Sequence, residues 1–148
     1  MLIYLDMCCF NRPYDDQTQA RIRFEAEAKM LIQQKVREGG CRLLWSSVLD
    51  FECSNNPYED RRAAIEKWRS MAVTVIMATP EVIAKANEFA KLGVGNYDSL
   101  HVAAAIAGSA DLLVTTDDRL LRKMRVNREI PVMLPGDALA HLEGWYED

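Results

Sequence analysis

The sequence predicts a single α/β domain with a mostly parallel sheet, and three observations lead to this expectation. Segments typical of strands alternate with segments typical of helices, which favours strand–helix–strand units with right-handed crossovers. The strand candidates are continuous apolar runs, as expected for parallel strands buried on both faces. The chain has 148 residues, of which 49% are hydrophobic and 27% charged, so its size and composition suit one domain over residues 1–148.

Five segments are predicted strands, because each is a run of apolar or β-branched residues bounded by turn-forming or charged ones. The first, MLIYLD, ends in Asp6, and the second, RLLWSS, follows the double glycine Gly39–Gly40. The third, VTVIM, is rich in β-branched side chains, and the fourth, LLVTT, leads into two aspartates. In chain order the strand candidates occupy residues 1–6, 42–47, 73–77, 112–116 and 131–134.

Helix candidates fill the intervals between these strands. The longest contains neither Gly nor Pro; Asp16 or Thr18 would cap its start, and Gly39–Gly40 would end it. Thr79 and Pro80 mark another helix start, with proline at the first position. The Ala-rich segment DSLHVAAAIA is expected to pack closely on the sheet. Helices are predicted over residues 18–38, 48–53, 58–70, 79–92, 98–107 and 117–123, and a loop over 7–17.

Composition excludes several classes of protein. The longest uninterrupted apolar run covers residues 102–107, whereas a membrane-spanning helix needs roughly 20 apolar residues. The N-terminus lacks the basic start of a signal peptide, and Asp6 interrupts its apolar run. The cysteines lack the spacing of a zinc motif, so we expect free thiols in a cytoplasmic protein. We also expect that the protein does not bind a membrane. These cysteines are Cys8, Cys9, Cys41 and Cys53.

Acidic residues recur where the predicted strands end. They are Asp6 after the first strand, Asp50 and Glu52 after the second, Asp117 and Asp118 after the fourth, and Asp98 at the start of the helix before that strand. In open α/β sheets, ligands bind beyond the carboxyl ends of the strands. Carboxylates that meet there repel one another, and Mg²⁺ or Mn²⁺ suits an all-oxygen ligand set. The pattern therefore favours metal-assisted hydrolysis of phosphodiesters.

Other roles for several of these carboxylates remain open. Asp98 would serve equally well as an N-cap, and one of Asp117 and Asp118 is expected to cap the following helix. Glu52 also fits a solvated helix start. Asp50 competes with Glu52, because residues two apart on a helix do not point the same way.

Four segments carry a resemblance to a known family, and they span nearly the whole chain. They are YLDMCCFNRP at 4–13, SSVLDFE at 46–52, YDSLHVAAA at 97–105 and LVTTDDRLL at 113–121. In this order they resemble the PIN-domain family, whose best-known members are the toxins of VapBC toxin–antitoxin pairs. The resemblance implies an α/β/α sandwich around a parallel sheet of four or five strands. It also implies Mg²⁺- or Mn²⁺-dependent cleavage of RNA, a homodimer and, for a toxin, a partner antitoxin.

The resemblance assigns roles to individual residues. The catalytic acids would be Asp6, Glu52, Asp98 and Asp117, of which Asp6, Asp98 and Asp117 would hold the metal. Thr115 would be their small polar partner, and Asp118 competes with Asp117. Asn11 would orient a water molecule or a phosphate, unless it is only a turn residue before Pro13. His101 lies one turn after Asp98, where it either touches the site or packs in the core.

Basic residues are expected to contact RNA even though the net charge is −4. The expected RNA-binding residues are Arg12, Arg119 and Arg122, with a solvated helix face as the alternative for each. No series of aromatic residues predicts base stacking. The sequence thus predicts a metal-dependent endoribonuclease, with a toxin of a toxin–antitoxin pair as its extension. The alternative is a non-catalytic PIN-like domain that binds RNA or protein.

Overall fold

The computed structural model describes residues 1–147, which contain one parallel five-stranded sheet. Its strands are β1 (Leu2–Leu5), β2 (Arg42–Ser46), β3 (Thr74–Ile76), β4 (Leu112–Val114) and β5 (Val132–Met133). All neighbouring strands pair in parallel, in the spatial order β3-β2-β1-β4-β5. The order reverses between β1 and β4, so the carboxyl ends of these two strands flank the crevice where ligands bind in such sheets.

Helices lie on both sides of the sheet, which gives the expected α/β/α arrangement. They are α1 (Met7–Asn11), α2 (Ala20–Arg37), α3 (Ser47–Ser54), α4 (Glu59–Glu66), α5 (Pro80–Lys91), α6 (Asn96–Ala107), α7 (Asp118–Met124) and α8 (Pro135–Glu143). Short 3₁₀ turns follow α1 at Arg12–Tyr14 and α4 at Lys67–Met71. Helix α6 packs on β2, β3 and β4 and is covered by α5, whereas α2 packs on α8, which contacts β4.

The core explains why the short strands hold together. Every residue of β1 and β4 is buried, as expected for central parallel strands. The alanines of α6 let this helix approach its neighbours closely: Ala104 and Ala105 are buried in the core with the strands, and Ala103 is buried against α5. Gly108 ends the helix where a Cβ atom would overlap a methyl carbon of the buried Leu44, so a side chain there would force that leucine to move.

The end of α2 matches its prediction, but its start does not. Gly39 has a φ of +80°, and the N–H of Gly40 donates to the carbonyl of Lys35 at 2.8 Å, which is a Schellman ending. The N-cap is Gln19, whose side chain makes no cap hydrogen bond. The prediction of Asp16 or Thr18 as the cap was therefore wrong, because the Asp16 carboxylate accepts from Thr18 in a local turn instead.

The prediction of a loop over residues 7–17 was wrong for its first part, which forms α1 and the following 3₁₀ turn. The Asp6 carboxylate accepts from the N–H of Cys8 at 2.8 Å and so caps α1 directly after β1. A helix of only five residues shows too little periodicity to stand out from the surrounding Asn, Pro and Asp.

Two further properties concern the whole described chain. None of the helices within residues 1–147 is long and apolar enough to cross a membrane. The four cysteines have free thiols; Cys9, Cys41 and Cys53 are buried, whereas Cys8 is partly exposed.

Candidate active site

Side chains from four parts of the chain meet around a small cavity at the carboxyl ends of β1 and β4. The cavity has a volume of about 80 Å³ and is lined by Asp6, Met7, Cys8, Glu52, Asp98, His101 and Asp117. The structure therefore brings together all four carboxylates to which the sequence assigned catalysis. We call this feature the acidic cavity.

Asp6 is the most buried of these acids, with only 3% of its surface exposed. Its Oδ2 accepts from the hydroxyl of Thr115 at 2.7 Å, and the same hydroxyl accepts from the N–H of Asp117 at 3.0 Å. Thr115 thus links the segments after β1 and β4, which fits its expected role as a polar partner. Burial is the main reason why the pKa of Asp6 is well above its usual range, and the neighbouring Cys8 adds to the rise.

Glu52 reaches the cavity from α3 and is held by a chain of hydrogen bonds that leads into the core. Its carboxylate is hydrogen-bonded to Nε2 of His101, whose Nδ1 lies 2.5 Å from the hydroxyl of Tyr4. That hydroxyl is also 2.6 Å from the hydroxyl of Ser46, which caps α3. His101 therefore contacts the site and also packs in the core.

The competing acid, Asp50, lies outside the cavity. Its carboxylate accepts from the indole N–H of Trp45 at 2.8 Å and from the guanidinium of Arg69 at 3.1 Å. Of the pair that the sequence left open, Glu52 is the one at the cavity.

Asp98 is the third residue of α6 and is not a helix cap. Gly95 occupies the N-cap position, with no side-chain hydrogen bond to the helix. The pKa of Asp98 is raised to about 6, chiefly by burial and then by the negative charges of Asp6 and Asp117. The sequence alone left capping and a site role equally open, and the structure removes the capping role.

Asp117 and Asp118 separate into different environments. Asp117 caps α7 by accepting from the N–H of Arg119 at 2.8 Å, and its side chain also lines the acidic cavity. Asp118 instead forms a two-bonded ion pair with Arg21, each bond being 2.8 Å long. Of these two, Asp117 is therefore the acid at the cavity.

The donor set of the cavity fits a divalent cation. Four carboxylates line it, and His101 is the one residue with a basic side chain among the lining residues. Burial raises the pKa values of Asp6 and Asp98, and the negative charges of Asp6 and Asp117 raise the pKa of Asp98 further. Carboxylate oxygens are the ligands preferred by Mg²⁺ and Mn²⁺, and a bound cation would relieve the repulsion.

Cys8 belongs to the cavity, although the sequence predicted only a free thiol at this position. Ligand atoms of Asp6, Cys8 and Cys9 lie within 4.8 Å of one another. The pKa of the Cys8 thiol is lowered to about 6, first of all by a hydrogen bond from Cys9. Its position two residues after Asp6, in the first turn of α1, was the signal that could have placed it at the site.

A groove with basic side chains adjoins the acidic cavity on one side. This basic groove has a volume of about 520 Å³ and shares Asp98 and Asp117 with the acidic cavity. Arg119, Arg122 and Lys123 contribute its positive charge. Two of the three expected RNA-binding arginines therefore lie beside the carboxylates.

A second hollow adjoins the acidic cavity through Met7 and Glu52. It has a volume of about 340 Å³, and we call it the aromatic pocket because Tyr14 and Tyr58 line it. Asn11 lies in this pocket and not in the acidic cavity.

The third expected RNA-binding arginine, Arg12, is engaged in ion pairs. Its guanidinium binds the buried carboxylate of Glu25 at 2.8 Å and that of Asp15 at 3.1 Å.

The comparisons with known proteins concern the fold. The sequence matches no protein-family model and no curated protein. A chain of VapBC2 from Rickettsia felis, solved with a fragment of promoter DNA, superposes with a TM-score of 0.55 at 14% identity, over 90% of this chain and 98% of that one. A chain of DNA-bound VapBC from Salmonella typhimurium gives a TM-score of 0.57 at 19% identity, over 91% and 99% of the two chains. PAE2754 from Pyrobaculum aerophilum gives 0.56 at 16% identity, over 97% and 90%. The PIN-like fold implied by the sequence resemblance is thereby confirmed.

Proposed function

We propose that this chain, which has a PIN-like fold, forms one domain and acts as a divalent-metal-dependent endoribonuclease. The observation that carries the proposal is the meeting of Asp6, Glu52, Asp98 and Asp117 around one small cavity beside a basic groove. Like charges are not brought together in a folded protein without a cost, so their convergence needs a ligand that offsets it.

The residues of the acidic cavity would have different roles in catalysis. Asp6, Asp98 and Asp117 would hold Mg²⁺ or Mn²⁺, which when bound lowers the pKa of water and offsets charge on a phosphate. Glu52 would orient the attacking water and accept its proton. His101 is a positioning residue, because its hydrogen bonds to Glu52 and Tyr4 fix the direction of the carboxylate. Thr115 holds Asp6 in the same way.

The basic groove would hold the backbone of the RNA. Arg119 and Arg122 are exposed and line the groove together with Lys123, so their charges are available to phosphates. Arg12 would contribute only by leaving its ion pairs with Glu25 and Asp15. We therefore assign the main phosphate contacts to Arg119 and Arg122.

We also infer a protein partner of the antitoxin kind. Two of the structural neighbours are chains of VapBC assemblies, and the present chain covers almost all of each. A partner segment that entered the grooves beside the acidic cavity would block RNA. A homodimer and a place in the cytoplasm are part of the same proposal.

The proposal is tested by cleavage of single-stranded RNA with Mn²⁺ or Mg²⁺, using excess substrate to measure turnover. Asp98→Asn should lower the cleavage rate by at least about 100-fold. Loss of a residue that only orients a metal ligand costs up to about 100-fold, and loss of the ligand itself should cost no less. Asp118→Asn is the matched control: its side chain pairs with Arg21, so it should cleave like the wild type.

Two results would contradict the proposal. Equal loss in both variants would point to a general effect of acidic charge around α7 rather than to a metal ligand. RNA binding without turnover under any divalent cation would favour the non-catalytic PIN-like domain.

A further inference from the structure

The aromatic pocket contains a stack of side chains that the proposed catalysis does not use. The guanidinium carbon of Arg61 lies 4.0 Å from the ring centre of Tyr58 and 5.1 Å from that of Tyr14. Both distances are within the roughly 6 Å limit of cation–π contact. Tyr14 is 39% and Tyr58 54% exposed, so their rings are open to solvent beside the arginine.

Arg61 differs from its neighbours in having no hydrogen-bonding partner for its guanidinium among the described residues. Within residues 1–147 its guanidinium makes no hydrogen bond or ion pair, whereas Arg62 donates to the carbonyl of Asn56 and Arg69 pairs with Asp50. A planar guanidinium that lies against an aromatic ring keeps its N–H donors available, and aromatic rings and guanidinium planes stack on nucleobases.

The rest of the pocket offers both polar and apolar contacts. Asn11 and Asn55 line it, and in the described part of the chain their side-chain amides make no hydrogen bond. An amide carries one acceptor and two donors, which is the pattern needed for the edge of a base. Met7 and Pro57 add apolar surface. The volume of about 340 Å³ is within the range of sites for small ligands, roughly 300–1,000 Å³.

The place of the pocket relates it to the chemistry. It shares Met7 and Glu52 with the acidic cavity, and the acidic cavity shares Asp98 and Asp117 with the basic groove. The three hollows therefore follow one another in the order basic groove, acidic cavity, aromatic pocket. A strand whose phosphates lie along the basic groove would bring the next nucleoside to the aromatic pocket.

We propose that the aromatic pocket binds one unstacked nucleobase of single-stranded RNA, next to the phosphate at the acidic cavity. The base would extend the stack that Arg61 and Tyr58 already form, and Asn11 and Asn55 would contact its edge. This inference rests on the proposed function and adds the recognition of a base to it. A base paired in a duplex cannot leave its stack at low cost, so the pocket selects single strands.

The test uses a short single-stranded RNA with 2-aminopurine at one position, titrated into the protein in EDTA so that no cleavage occurs. Stacking changes the fluorescence of 2-aminopurine, so the signal reports entry of the base itself. We expect Tyr58→Leu to weaken binding by about 5-fold or more, since stacking on an aromatic side chain is worth about 1–3 kcal/mol per base. Tyr58→Trp should retain both the affinity and the signal.

Two further variants complete the design. Arg61→Lys keeps the charge but loses the planar group, so it should weaken binding and reduce the fluorescence change. Tyr146→Leu is the matched control, because this tyrosine is 88% exposed and does not line the pocket. Tyr58 is itself exposed, and circular dichroism would verify that each variant folds.

The outcomes separate this inference from the proposed function. Normal cleavage and unchanged 2-aminopurine binding by Tyr58→Leu would overturn the base site and leave the nuclease intact. Weakened binding by Tyr58→Leu without any cleavage by the wild type would support the base site and overturn the nuclease. Failure of the wild type to bind any single-stranded RNA would overturn both the base site and the nuclease, and it would favour a protein as the ligand of the pocket.

Discussion

At the scale of single residues, the ionisation of Asp98 destabilises the folded protein, because this carboxylate is partly buried beside other negative charges. Its pKa is raised to about 6 in the folded protein, whereas that of an unfolded aspartate is about 4. Between these pH values the unfolded chain releases this proton before the folded chain does. The stability of the metal-free protein should therefore fall as the pH rises through this window, and the full penalty should persist above about pH 6.

This pH dependence of stability predicts a measurable difference between the wild type and Asp98→Asn. In EDTA, the variant should gain stability relative to the wild type from about pH 4 to pH 6 and be the more stable protein at pH 7. Added Mn²⁺ should stabilise the wild type at pH 7 and leave the variant almost unchanged. Urea denaturation at several pH values measures both effects. Parallel pH curves for the two proteins would show that Asp98 ionises without cost.

Residue patterns predicted the carboxylates at the strand ends but not the choice within each pair. The structure excludes Asp118 from the cavity through Arg21, which is 97 residues away in the sequence. It excludes Asp50 through Trp45 and Arg69. These contacts depend on how distant elements pack, and no local pattern records them. The same holds for Tyr14 and Tyr58, which come together only through Arg61.

At the scale of elements, the sequence predicted every strand and the long helices, because apolar runs and helix-ending residues are local signals. Thr79, for example, accepts from the N–H of Val82 at 3.3 Å and caps α5, with Pro80 at its first position. Helix α1 was missed because its five residues show too little periodicity, and because its cap, Asp6, also lines the site. A residue with two roles gives an ambiguous signal.

Helix α2 contains another element-scale feature: three polar side chains on its buried face. Glu25, Lys29 and Gln33 follow one another at intervals of four residues and are all buried. Lys29 makes no ion pair within residues 1–147, and its ammonium lies 5.6 Å from the ring centre of Phe10. Burial lowers the pKa of this lysine to about 8. The charge therefore opposes folding at neutral pH.

We expect Lys29→Met to stabilise the protein by about 1–3 kcal/mol at pH 7, because it removes a buried charge and keeps an unbranched side chain. The gain should shrink as the pH rises from about 8 towards 10.5, where the folded lysine is already neutral while the unfolded one is still charged. Thermal unfolding of both proteins across this range measures it. Lys91→Met, at an exposed position, should bring no such gain. A destabilised Lys29→Met would mean that the ammonium is compensated in the folded state.

At the scale of the whole molecule, the distribution of charge matters more than its sum. A net charge of −4 gives no general attraction for a nucleic acid. The parallel sheet nevertheless places Asp6 and Asp117 at the reversal point between β1 and β4, and α7 carries Arg119, Arg122 and Lys123 away from the same edge. A surface that repels phosphates and one that attracts them therefore lie side by side, so RNA binding should depend on a few local ion pairs.

Such binding has a specific dependence on salt. Each contact with a phosphate of single-stranded RNA contributes about 0.7 to the slope of log affinity against log salt concentration. Arg122→Ala should lower the slope of the wild type by about this amount, because Arg122 lines the basic groove. Arg42→Ala removes an exposed charge at the start of β2, the opposite edge of the sheet, and should leave the slope unchanged. Fluorescence anisotropy of labelled RNA in EDTA measures these slopes. Equal slopes for all three proteins would mean that the backbone of the RNA does not follow the basic groove, and that the carboxylates meet their phosphate from another direction.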